Sequence, residues 1–308
     1  MRCKYLDHQI NVRTDGQYRL CCMSLEPEND YNIKTHTPQE WHDSDFHRKT
    51  REQMERGEWP DACTRCEQME KQGLTSQRLK LKAYGPGLSH LDLRLGNSCN
   101  LKCISCWHMS SSSIAEEAIA MQKAGITPLH GILDVPNFNW SSPETFDKLL
   151  ELPIQEVYFT GGEPMMVKHL PAFLERLDPD TQIRFNTNCT IWNPKLEKLL
   201  RKFRMVIMSL SLDATDRRID YIRHGSKWKE IIEPNLHRYG SFAKVDIAPT
   251  VSILNAWFYD DIKEYADKHG YKLYENLLML PEWLHVKNAP DKLKLSLIHI
   301  SEPTRPVP

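Results

Sequence analysis

Long apolar runs are the first thing this 308-residue chain lacks. None approaches the ~18 residues of a membrane-spanning helix. The first 25 residues carry charges throughout and contain no apolar signal core. Net charge is nearly absent as well: 40 Lys and Arg stand against 41 Asp and Glu, leaving −1. No global field therefore draws the protein to nucleic acid or to an anionic membrane surface. There is no internal repeat and no low-complexity tract, and no two of the 13 histidines form the i,i+4 pair of a metalloprotease helix. The sequon Asn188-Cys189-Thr190 falls at a predicted strand end and is read as no glycosylation acceptor. These absences predict a cytoplasmic protein of ordinary soluble composition, long enough for one large domain or two smaller ones.

What is present is cysteine. There are nine, at positions 3, 21, 22, 63, 66, 99, 103, 106 and 189, and eight of them lie in the first 106 residues. In a reduced compartment such clustering suggests metal or redox chemistry rather than disulfides.

The organisation changes near residue 88. In the front part, "INVRTDGQYRL" (10–20) reads as a hairpin turning at Asp15-Gly16. Thr37, Pro38 and Glu40 form a capping box with proline at the first helical position. A charged helix follows and stops at Gly57. "YGPG" (84–87) marks a boundary. From His90 onward strand and helix patterns alternate. Strands are predicted at 90–95, 154–160, 182–187, 204–212, 245–254 and 271–280. Helices are predicted at 112–123, 143–150, 164–177, 194–203, 227–237 and 257–269, with Asn193 as the cap of the fourth. Six strands separated by helices imply an α/β fold with a parallel sheet and right-handed crossovers.

The first predicted strand runs into "GNSCNLKCISCWHM" (96–109), where Cys99, Cys103 and Cys106 are spaced C-x3-C-x2-C. Parallel α/β sheets carry their chemistry at the carboxyl ends of strands. Structural zinc takes four protein ligands; His108 or a distant cysteine would have to supply the fourth, and Cys189 stands alone. Iron–sulfur clusters are also held by thiolates. Three thiolates on a four-iron cluster leave one iron open, and an open position serves catalysis or substrate ligation.

This triplet after a first strand resembles the signature of the radical S-adenosylmethionine (radical SAM) enzymes. The resemblance continues in "TGGEP" (160–164) after the second strand, "FNTNC" (185–189) after the third, "SLSLDA" (209–214) after the fourth and "YIRHG" (221–225) beyond it. It covers roughly 88–280. It implies a partial (β/α)6 TIM-like barrel in which Cys99, Cys103 and Cys106 hold a [4Fe-4S] cluster whose open iron binds S-adenosyl-L-methionine (SAM). By the same resemblance Gly161 and Gly162 let backbone approach the ligand closely, Glu163 accepts from the SAM ammonium, Asn186, Ser211 and Asp213 meet the ribose, and Arg223 the carboxylate; a helix-entry turn is the competing reading of "TGGEP". A surface arginine is the competing reading of Arg223. "SILN" (252–255) is open between an adenine flank and plain core strand. One departure is Ser105, where the family carries an aromatic ring beside adenine; Ile104 and Trp107 are the substitutes at hand. An external one-electron reductant of the flavodoxin or ferredoxin kind is implied as a partner.

A second set precedes the first. Cys3-x12-Gly16-x4-Cys21, then Cys63-x2-Cys66, resembles the opening half of the SPASM/twitch accessory domain, which binds auxiliary [4Fe-4S] clusters. In most relatives that domain follows the core, whereas here it comes first, and the later cysteines of the pattern are missing. The resemblance implies one auxiliary [4Fe-4S] cluster on Cys3, Cys21, Cys63 and Cys66; structural zinc and a thiol redox pair are the alternatives, and Cys22 is the alternative to Cys21.

The predicted organisation is thus a small α+β cluster-binding domain over 1–87, a radical SAM core over 88–294, and a tail over 295–308. "LSLIHISEPTRP" (295–306) resembles a translated sequencing adapter, so native sequence is expected to stop near Lys294; a short natural strand with a Pro-rich end is the other reading. The predicted activity is reductive cleavage of SAM to a 5′-deoxyadenosyl radical that abstracts hydrogen from a substrate. A peptide or protein is the leading substrate class. A small molecule or nucleotide is the alternative, and a zinc-bound structural module is the reading without catalysis.

Overall fold

A computed structural model describes residues 1–80, 85–128 and 138–291. The expected adapter-like tail lies outside the described residues, as does Tyr84 of the expected boundary. In chain order the strands are β1 (Gln9–Val12), β2 (Tyr18–Arg19), β3 (His90–Arg94), β4 (Lys102–Cys103), β5 (Glu156–Thr160), β6 (Gln182–Thr187), β7 (Met205–Leu210), β8 (Arg223–His224), β9 (Lys244–Ile247), β10 (Thr250–Val251), β11 (Lys272–Leu273) and β12 (Asn276–Leu277). The helices are α1 (Lys4–His8), α2 (Pro38–His42), α3 (Asp45–Glu55), α4 (Thr64–Lys71), α5 (Gln77–Lys80), α6 (Ser112–Lys123), α7 (Pro143–Leu150), α8 (Leu170–Glu175), α9 (Pro194–Leu200), α10 (Arg218–Ile222), α11 (Glu233–Gly240) and α12 (Tyr259–His269). No described helix is long and apolar enough to cross a membrane.

The chain forms two compact units. One comprises Met1–Cys99, His108–Asn186 and Asn193–Ile207; the other Asn100–Trp107, Thr187–Trp192 and the chain from Met208 on. In the first unit the strand order is β2-β1-β3-β5-β6-β7. The β1·β3, β3·β5 and β5·β6 ladders are parallel, and only the β1·β2 hairpin is antiparallel. In the second unit the end of β7 continues to β9 and β11, again with a parallel β9·β11 pair. Within the first unit β3, β5, β6 and β7 neighbour one another in chain order, and within the second β9 and β11 do. That is the order of a (β/α) barrel; a doubly wound sheet would reverse it. The expected α/β class with a mostly parallel sheet is what the structure has.

The expected boundary near residue 88 does not coincide with a division of the sheet. Gln9 to Val12 pair residue for residue with His90 to Leu93, so the front segment extends the same sheet. The hairpin after β1 turns at Asp15-Gly16 as predicted. Gly16 has φ +89°, a left-handed value that favours glycine, and Asp15 Oδ1 accepts from the Gln17 N–H. Thr37 and Glu40 close the capping box, and Asn193 caps α9.

Three long predicted elements are broken at a proline, and the 271–280 strand splits into β11 and β12 without one. The 245–254 strand splits around Pro249, which has no N–H for a ladder. The 164–177 helix becomes a 3-10 turn (Pro164–Met166) and then α8, with Pro171 in its first turn. In 227–237, Pro234 cannot donate back along the helix, and Trp228–Ile232 is a π turn before α11.

Ladder register sorts the first unit's side chains into two faces. Ile10, Leu91, Val157 and Ile183 occupy one face, with Val12, Leu93, Phe159 and Phe185 on the next rung of it, and all are buried. Helix side chains cover this face: Phe159 stacks on Phe185 at 4.8 Å and meets Phe173 of α8 edge-on at 6.1 Å. The other face is polar and is described with the site. Truncating Phe159 to alanine should cost about 3–5 kcal/mol, the range for an aromatic lost from a close-packed core, read as a lower urea midpoint with an unchanged slope.

Candidate active site

The site starts at the root of the cysteine loop, in the first unit. β3 ends at Arg94, and the turn after β5 folds back onto it. Gly162 N–H donates to Gly96 O at 2.9 Å and Glu163 N–H to Ser98 O at 2.6 Å. A Cβ on Gly162 would sit 2.2 Å from Ser98 O, and one on Gly161 2.8 Å from Gly96 O. These glycines let two backbones touch; the close approach expected for a ligand is taken by residues 94–98. Glu163 is buried, and its Oε1 accepts from Met165 N–H, capping its own turn. Cys99 is anchored in the same unit: its N–H donates to Ser112 Oγ at 3.1 Å, and its carbonyl accepts from Ser112 and Ser113 at the start of α6.

The polar face of the first unit was missed by the sequence reading. Gln9, His90, Glu156 and Gln182 form one rung by register, and Asn11, Asp92, Tyr158 and Arg184 the next. Arg94 and Thr160 follow, and Asn186 lies two residues beyond Arg184 on the same face of β6. Asp92 is buried and accepts from Asn11 Nδ2 at 2.7 Å. Burial pushes its carboxyl up to about 6 against the opposing pull of Arg94 and the Asn11 bond. The signal was present: "HLDLRL" alternates apolar and polar residues, which gives one apolar and one polar face, both of them buried.

The rest of the loop belongs to the second unit. β4 pairs antiparallel with β8, Lys102 opposite His224 and Cys103 opposite Arg223, and Ile104 N–H donates to Ile222 O. Arg223 meets Asp213 through two contacts, Nε to Oδ2 at 2.8 Å and Nη2 to Oδ1 at 3.0 Å, while its Nη1 stands 4.0 Å from Cys103 Sγ. Burial alone would lower the guanidinium's pKa, but Asp213 and Cys103 beside it raise it. Asp213 is 1% exposed; its carboxylate also accepts from Thr250 N–H, and its carbonyl from Asn255. The two residues expected on the SAM carboxylate and ribose are thus committed to each other. Ser211 is half-buried, with its N–H on Thr187 O. Ser252 and Asn255 are buried, and the Asn255 side chain takes up Ser252 N–H and Thr250 O. Trp107 is largely exposed. Asn188 is buried and bonds Asn100 and Thr190, which closes the sequon to modification. Cys189 has φ +64°, a left-handed value that favours glycine.

The structure brings the front cysteines together. Cys3, Cys21, Cys63 and Cys66 line one pocket with Tyr5, Leu6, Leu20, Met23, Met54 and Trp59. Cys21, rather than Cys22, is the lining thiol. Arg19 and Leu20 N–H both bond the buried Glu26 carboxylate, which fixes the chain just before Cys21. Burial raises Cys3, takes Cys21 well above its ordinary value, and pushes Cys63 up to about 12. Such thiols ionise readily only against a compensating cation, as in a metal–thiolate bond. Among the described residues no three His, Cys, Asp or Glu side chains converge on a point that would hold a single metal ion.

Residues 93–234 match the Radical SAM superfamily model. That match runs from β3 through the π turn to the start of α11 and is to the class expected from the cysteine triplet. The family implies a [4Fe-4S] cluster, SAM and a reductant. Among curated proteins the chain is similar to a probable GTP 3′,8-cyclase of Methanocella arvoryzae, 29% identical over 141 residues, 44% of this chain and 38% of the relative. It is also similar to a GTP 3′,8-cyclase of Mycolicibacterium smegmatis, 29% identical over 43% of this chain and 33% of that one. The match thus spans well under half the length of these relatives. Among solved structures, anSMEcpe with bound AdoMet and Kp18Cys peptide aligns with a TM-score of 0.47 at 16% identity, over 63% of this chain and 52% of that one. Streptococcus suis SuiB bound to precursor peptide SuiA aligns with a TM-score of 0.44 at 14% identity, over 89% and 53%.

Two outcomes test this geometry. Gly162→Ala should lose on the order of 3 kcal/mol, because its methyl group meets backbone rather than a movable side chain; chemical denaturation reads the loss. The raised Asp92 carboxyl means that the unfolded chain ionises first. Its stability is complete below about pH 4 and is lost as pH rises through about 6. Asp92→Asn should therefore exceed the parent by about 2–3 kcal/mol at pH 7 and converge with it near pH 4, seen in parallel melts across that range.

Proposed function

We propose that the protein is a radical SAM enzyme that carries one auxiliary iron–sulfur cluster. When bound and reduced, the SAM-binding cluster supplies the electron that splits SAM into methionine and a 5′-deoxyadenosyl radical, and the radical removes hydrogen from substrate. Cys99, Cys103 and Cys106 are the ligands of that cluster. Cys99 is set by the α6 serines, and Cys103 by the β4·β8 pair. Gly161 and Gly162 hold the loop's root, and Glu163, Asn186 and Ser211 remain the candidates for SAM itself. Asp213 and Arg223, paired with each other, act on the loop rather than on SAM.

The observation that carries the auxiliary cluster is the four-thiol pocket. Its four thiols are the donor set, and apart from Ser24, Gln77 and Arg78 its other walls are apolar or aromatic. With four protein ligands it has no open iron, so its role is electron transfer or substrate placement. The protein works in the cytoplasm with a flavodoxin- or ferredoxin-like donor. The front module's resemblance to SPASM/twitch domains favours a peptide or protein substrate. A nucleotide substrate is the second reading, favoured by the GTP 3′,8-cyclases among the relatives in sequence.

Anaerobic reconstitution with iron and sulfide should give two four-iron clusters, and dithionite with SAM should give 5′-deoxyadenosine. Cys106→Ala should drop that product to background. Cys63→Ala should lose one cluster's worth of iron yet still cleave SAM without coupling to substrate. Zinc in place of iron at the pocket would end the auxiliary-cluster reading, and undiminished cleavage by Cys106→Ala would end that of the loop.

A further inference from the structure

Arg223 sits where no ordinary surface arginine would. Its side chain is 11% exposed and its partner Asp213 only 1%. Asp213 takes one edge of the guanidinium in a two-point contact, which fixes the plane of the group. The free corner, Nη1, is left 4.0 Å from Cys103 Sγ. The backbone reinforces the placement: Arg223 and Cys103 are partners in the β4·β8 pair, and Ile104 N–H bonds Ile222 O. Asp213 is itself held by Thr250 N–H and, through its carbonyl, by Asn255. A fixed positive charge is thus aimed at one of the three loop sulfurs.

We propose that Arg223 is a positioning residue that raises the reduction potential of the cluster on the cysteine loop, with Asp213 holding its guanidinium against Cys103. This rests on the reading of Cys99, Cys103 and Cys106 as cluster ligands. Reduction adds negative charge to a cluster, and charge and hydrogen bonding at its sulfurs set its potential. A cation beside Cys103 favours the reduced state. The Asp213 carboxylate, bonded to Nε and Nη2 while Nη1 faces the sulfur, acts in the opposite sense from behind the guanidinium. The pair also explains why a buried ion pair stands in this loop, since buried pairs add little stability over apolar packing.

The test is a redox titration of the reconstituted full chain, followed by electron paramagnetic resonance of the reduced signal that changes when SAM is added. Arg223→Gln should shift that midpoint to a more negative potential. Because it leaves the Asp213 carboxylate buried without its counter-charge, the double variant Arg223→Gln/Asp213→Asn is measured beside it. That variant keeps a hydrogen-bonded neutral pair and should also titrate below wild type. Arg223→Lys, which keeps the charge, should stay close to wild type. A double variant that binds as much iron as wild type and shows an unchanged midpoint overturns the proposal. So does a folded double variant that loses the SAM-responsive cluster, because the pair would then hold the loop instead of tuning it. A fall in Arg223→Lys as large as in Arg223→Gln also counts against a charge effect. If wild type itself gives no SAM-responsive signal, the cluster reading of the loop fails, and the proposal with it.

Discussion

Much of the first unit depends on one close contact between backbones. The turn after β5 lies on the end of β3 so tightly that Gly162 has no room for a methyl group beside Ser98 O. Two hydrogen bonds close the contact, from Gly162 N–H to Gly96 O and from Glu163 N–H to Ser98 O. This fixes the direction in which the chain leaves β3, and with it the point from which the cysteine loop begins. α6 meets the same point from the other side, with its first serines on both backbone groups of Cys99. On the proposed reading, such a rigid root would orient the cluster's ligands.

The front segment is tied to the core by the same kind of bond. β1 joins the sheet beside β3, so Asn11 lies next to Asp92 and helps hold it. The hairpin that follows carries the chain to Cys21, with Glu26 gripping Arg19 and Leu20 just before it. Chain segments far apart in sequence thereby bring Cys3, Cys21, Cys63 and Cys66 to one pocket. On our reading the incomplete thiolate set does the chemistry and the complete one supports it.

Element positions were largely legible in the sequence. α6, α7 and β6 have the predicted bounds, the capping box and the Asn193 cap are in place, and the hairpin turns at Asp15-Gly16. Proline inside an otherwise regular apolar pattern accounts for the breaks in 164–177, 227–237 and 245–254, but not for the split of 271–280. Of the candidate site, the residue types were legible and their partners were not. Arg223 reads equally well as a SAM ligand or a surface charge until Asp213 is seen beside it, ten positions away across a turn. Asp92 was overlooked because its burial and its Asn11 partner follow from the β1·β3 register.

By itself the sequence determined the chemical inventory: three thiols in a C-x3-C-x2-C loop after a strand, four more in front, and a β/α alternation that admits a parallel sheet. Local spacing suffices there, because ligand motifs and helix caps are short-range. Tertiary structure alone decided that the front segment shares the core's sheet, that the glycines of "TGGEP" serve a backbone contact, and that Arg223 faces a cysteine sulfur. Each of these depends on ladder register or on contacts between distant segments. Register follows from the packing of whole faces, which no short stretch of sequence encodes.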